Sequence, residues 1–125
     1  MNHYSFPGDP LTQRIESLML SLHVPAHLMG FRYLERAIYL VCGDPTLLFN
    51  VVGRLYTIAA AEMGTTLSCF ERDMRTALKK VPDLDYSSVF GYHCDPTTRR
   101  ITPKEFIALC AGKLRYDTVN QKKEQ

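Results

Sequence analysis

A chain of 125 residues with 46% apolar and 22% charged content can bury one core but is too short for two ordinary domains, and it does not have the composition of a disordered tail. Its formal net charge of +2 is too small to surround the whole molecule with a strong basic field. No apolar run reaches the ~18 residues that suggest a membrane span. The opening MNHYSFPGDP lacks the basic start and apolar centre of a signal peptide, so a cytoplasmic location is expected.

Residues 1–10 read as an N-terminal linker ending in Asp9-Pro10, an N-cap followed by a residue suited to the first helical position. Leu11, Ile15, Leu18 and Leu22 follow at helical spacing, and Val24-Pro25 ends that helix. His23 and His27 are four apart, but Pro25 between them disfavours the continuous helix that would place both on one metal-binding face. A second helix turns Leu34, Ala37, Ile38 and Val41 inward and Arg32, Glu35 and Arg36 outward, then stops at Gly43. Asp44-Pro45 repeats the start signal for a third, with Leu47, Leu48, Val51, Val52 and Leu55 as its apolar face.

The third helix runs into an alanine-rich stretch, and Ala60 and Gly64 then stand four apart. A helix-turn-helix unit needs this relation: a small residue where the second helix crosses, and a glycine where the turn visits positive φ. In the helix that follows, Leu67, Phe70, Met74, Ala77, Leu78 and Val81 share one face at 100° per residue. The opposite face carries Ser68, Cys69, Arg72, Thr76 and Lys79, with Arg75 at its edge. Arginine can bond guanine bidentately, and lysine or threonine can hold phosphate. An ordinary basic surface helix would present the same pattern, and Glu71 and Asp73 oppose the approach of phosphate.

A shorter helical segment spans Tyr86 to Phe90 and is closed by Gly91. Thr102-Pro103-Lys104-Glu105 is a capping box with proline at the first helical position, opening a last helix with Phe106, Ile107, Cys110 and Leu114 inward. From Arg99 onward seven basic residues face three acidic ones, leaving the rest of the chain net negative. The expected architecture is all-α: about six helices containing a helix-turn-helix over 11–117, then a basic tail at 118–125. Cys42, Cys69, Cys94 and Cys110 are widely spaced without a C-x-x-C pair, so free thiols are expected. His93-Cys94 lacks a second ligand pair, and no metal or other cofactor is expected. No nucleophile, base and orienting group stand together and no glycine-rich phosphate loop appears, which argues against an enzyme or a small-molecule substrate.

Four stretches, in this order, resemble the C-terminal DNA-binding effector domain of the stage-zero sporulation protein A family. They are VPAHLMGFRYLERAI at 24–38; Thr65, Thr66, Ser68, Glu71, Arg72 and Arg75 of the fourth helix; FGY at 90–92; and EFIA at 105–108. The resemblance covers about residues 15–117. It implies a six-helix effector domain that regulates transcription in sporulation by binding double-stranded DNA at a TGTCGAA-type box, often as tandem copies. It also implies that the helix at 66–80 enters the major groove, with Ser68, Glu71, Arg72 and Arg75 making base and backbone contacts and Arg100 holding phosphate. Ser87, Ser88, Val89 and Phe90 would contact a neighbouring copy. This chain departs from the family pattern at Cys69, where the first reading arginine is expected, at Asp73, where alanine is expected, and in a shorter link after the recognition helix at 81–84. These departures keep a second expectation open, an interaction or dimerisation module that retains the fold without specific DNA binding. These 125 residues hold no receiver domain with a phosphorylatable aspartate, so phosphorylation control is not implied.

Overall fold

Helices begin where the sequence supplies an oxygen for otherwise unpaired backbone N–H groups. The computed structural model describes residues 9–81 and 101–124, with side chains to Asp117. Its helices are α1 (Pro10–Ser21), α2 (Met29–Gly43), α3 (Thr57–Glu62), α4 (Leu67–Lys79) and α5 (Pro103–Glu124). There is no strand among the described residues. The segment 86–90 lies outside them. Asp9 Oδ1 accepts from Leu11 N at 2.9 Å and Thr12 N at 3.2 Å, while its Oδ2 accepts from the Tyr39 hydroxyl at 3.2 Å. One carboxylate thus caps α1 and ties it to α2. At α5 the capping box is reciprocal: Thr102 Oγ1 accepts from Glu105 N at 3.2 Å, and Glu105 Oε1 accepts from Thr102 N at 3.0 Å.

The third predicted helix is not regular. Asp44 starts it as expected, accepting from Thr46 N at 3.1 Å, but Pro45–Asn50 winds as a 3₁₀ turn and Val51–Tyr56 as a π turn before α3 begins. The break falls at Asn50, whose backbone leaves the helical region at φ −147°, ψ 76° and whose side chain accepts from Gly53 N at 3.0 Å. Asn50 therefore acts as a second N-cap inside one apolar run. The break shifts the phase of the run. Leu47 and Leu55 are buried, but Val52, expected inside, is half exposed.

α2 is the central helix. Phe31, Leu34, Ile38 and Val41 are fully buried there among Ile15 and Met19 of α1, Phe70 and Met74 of α4, and Phe106 and Ile107 of α5. Each fully buried large side chain contributes on the order of 1.5–3 kcal/mol. Glu35 corrects the expected outward face of α2, since it is only 5% exposed. Arg32 makes that burial tolerable. Its Nη1 lies 3.4 Å from Glu35 Oε1 and 3.1 Å from Glu16 Oε2 of α1, so one guanidinium serves two carboxylates across the helix pair. Burial raises the Glu35 pKa, with Arg32 opposing the rise and Glu16 adding to it.

Cys42, Cys69 and Cys110 are free thiols, as expected for those three positions. No group of three potential metal ligands occurs among the described residues. No single helix there is long and apolar enough to cross a membrane.

Candidate nucleic-acid interface

α3 ends in a pair of hydrogen bonds that fixes the direction of the chain. Thr65 N donates to Ala60 O at 3.0 Å and Gly64 N to Ala61 O at 3.2 Å, the paired bonds of a Schellman motif, with Gly64 at φ +69°. Only glycine adopts that conformation without strain. Two residues later Thr66 is extended, and its Oγ1 accepts from Cys69 N at 3.1 Å, capping α4. Stop signal and start signal are thus nearly contiguous. Ala59 and Ala60 are both buried, so the small residues expected at this junction lie against the core.

The inner face of α4 seats as its periodicity predicts. Phe70, Met74 and Ala77 are fully buried and Leu78 is 7% exposed. The Phe70 ring stacks on Tyr33 of α2 at 4.9 Å between centroids and tilts against Tyr56 at 5.7 Å, geometries that add to area burial. Burial and the nearby Glu71 charge push the Tyr56 phenol up to about 12, so it stays neutral at ordinary pH. Leu67 departs from the expectation: it is the first residue of α4 and is 38% exposed.

Sequence reasoning missed Gly30. A Cβ built there would lie 2.0 Å from the Asp73 carbonyl oxygen and 2.8 Å from Ala77 Cβ. The start of α2 therefore touches the backbone of α4 directly, a small-residue crossing in addition to the buried Ala60. The available signal was a glycine in the first turn of a strongly apolar helix, where alanine would serve unless something came close.

Ser68, Arg72, Arg75, Thr76 and Lys79 are all exposed, with Cys69 and Glu71 half-buried beside them. The structure therefore brings seven of the expected residues onto one surface of α4. Arg100, Ser87, Ser88, Val89 and Phe90 lie outside the described residues. The two arginines are held differently. Arg75 Nη2 meets Glu71 Oε1 at 2.9 Å, one turn earlier, whereas Arg72 Nε meets Asp73 Oδ1 at 3.3 Å. The Asp73 hydrogen bond and charge raise the Arg72 pKa, and Cys69 adds to the rise. Pairs this exposed are screened and weak, so neither carboxylate prevents its arginine from meeting a phosphate or base edge.

A short helix, a glycine-centred turn and a second helix with an apolar underside and a cationic outer face, all seated on a central helix, define a helix-turn-helix protein. The chain belongs to the family described as Sporulation initiation factor Spo0A C terminal, whose model matches residues 15–114. This is a family of DNA-binding domains of transcription regulation in sporulation.

Proposed function

We propose that this chain is a sequence-specific regulator of transcription, of the sporulation-initiation effector type, that places α4 in the major groove of double-stranded DNA. The observation that carries the reading is the division of α4 into two faces. Phe70, Met74 and Ala77 anchor it, while Arg72 and Arg75 remain exposed, about one turn apart, on a rigid element. On this reading Ser68, Thr76 and Lys79 contact the backbone, Arg72 and Arg75 reach base edges or phosphate, and Arg100 holds phosphate. Ser87, Ser88, Val89 and Phe90 would serve contacts between copies on tandem sites. The target is a TGTCGAA-type box, and the mechanism needs no cofactor, metal or small-molecule substrate.

A second reading draws on the carboxylates that accompany both arginines and on Cys69, which has no charge where a reading arginine is expected. It makes the chain an interaction or dimerisation module without specific DNA binding. Selection of bound duplexes from a random pool separates the two. Enrichment of one sequence supports the regulator, and an unenriched pool supports the interaction module.

Cys69→Arg sharpens the test. It should tighten binding to a TGTCGAA-type duplex by about 1–3 kcal/mol, the worth of one bidentate base contact, and tighten binding to a scrambled duplex less. Equal gains on both, measured by titration with labelled duplexes, would mean that the new arginine touches phosphate only.

A further inference from the structure

By charge alone Asp73 should weaken DNA binding, since it places a carboxylate on the helix that approaches the phosphates. Its geometry says otherwise. Asp73 lies at the foot of the outer face, where its own backbone oxygen packs against Gly30. Its side chain is 28% exposed against 68% for Arg72. The carboxylate is short, with few rotamers, and it engages Nε, the inner nitrogen of the guanidinium. That leaves the two terminal nitrogens of Arg72, the pair that spans guanine O6 and N7 in an end-on contact, unused by Asp73. Glu71 acts on Arg75 in the opposite sense, taking a terminal nitrogen that a base contact would need.

We infer that Asp73 is a positioning residue that holds Arg72 by Nε so that its terminal nitrogens point at a guanine, making Arg72 the residue that determines specificity on α4. The inference rests on the proposed reading of α4 as the groove-reading helix. Holding one end of a long, flexible side chain lowers the conformational entropy lost on contact. The advantage exists only where a base edge matches the held geometry, so Asp73 acts on discrimination, while its charge acts on every duplex alike.

The test uses the best duplex that the wild-type chain selects from a random pool, a scrambled duplex of the same composition, and the full 125-residue chain. Asp73→Ala should weaken binding to the selected duplex about tenfold. Binding to the scrambled duplex should tighten roughly two- to threefold at low salt, a gain that shrinks as salt rises. Asp73→Asn makes the same charge change but keeps an acceptor for Nε, and should retain most of the discrimination. In an Arg72→Ala background, Asp73→Ala should leave discrimination unchanged. Melting curves check that each variant is folded. If Asp73→Ala tightens both duplexes equally, Asp73 only repels phosphate and the inference is overturned, while the reading of α4 stands. Loss of discrimination that persists without Arg72 also overturns it. If the wild-type chain enriches no sequence, the reading of α4 falls and the inference with it.

Discussion

Two junctions in this molecule stop a helix with the same hydrogen bonds and then diverge. After α1, Val24 N donates to Met19 O at 3.1 Å and His23 N to Leu20 O at 3.0 Å, the same paired bonds that end α3. His23 occupies the left-handed position, at φ 66°, that Gly64 holds after α3. The two part in the next few residues of the chain. After Gly64 comes Thr66, whose side chain caps α4 at once. After His23 the chain crosses Val24-Pro25 and reaches α2 only at Met29, where Leu28 provides no side-chain cap. The stop motif alone makes a bend. At the helix-turn-helix the stop is followed within two residues by a side-chain start signal, which keeps the turn short, while the packed inner face of α4 sets its angle.

The contrast between the junctions is most vulnerable where α4 meets the core. Gly30→Ala places a methyl group into the Asp73 carbonyl and Ala77, and should destabilise the fold by about 1–3 kcal/mol despite the better helix propensity of alanine. Chemical denaturation measures the loss. Gly64→Ala should cost about 1–2 kcal/mol, because an L-residue then has to hold φ +69°. The reverse change at the first junction, His23→Gly, should stabilise the fold by up to about 1 kcal/mol. It relieves the same strain, less the extra freedom that glycine gives the unfolded chain. If the two substitutions changed stability in the same direction, the equivalence of the two stops would be refuted.

Those residues also mark what the sequence discloses and what it withholds. Asp9, Asp44 and Thr102 announced their helices because a cap is a local device, one acceptor followed by proline. Gly64 was legible for the same reason. His23 was not, since histidine takes up a positive φ far less often than glycine and Pro25 two residues on already accounted for the stop. Glu35 read as an outward charge because its partner Arg32 also reaches Glu16, and that link belongs to the packing of α1 on α2. The Asn50 break was hidden inside an apolar run that fits a regular helix. On α4 the exposed residues followed from periodicity; the Glu71 to Arg75 pair fits i,i+4 spacing but was not read from it. The Arg72 to Asp73 contact did not, since adjacent helical residues do not face each other by spacing alone.

The proposed placement of α4 in the major groove, with Arg72 at a guanine, is tested by methylation protection of guanine N7, an atom exposed only in that groove. On the selected duplex the wild-type chain should protect at least one guanine N7. Arg72→Ala should lose that protection at concentrations where it still occupies the DNA. A wild-type complex that forms on the duplex but leaves every guanine N7 fully reactive would contradict this placement.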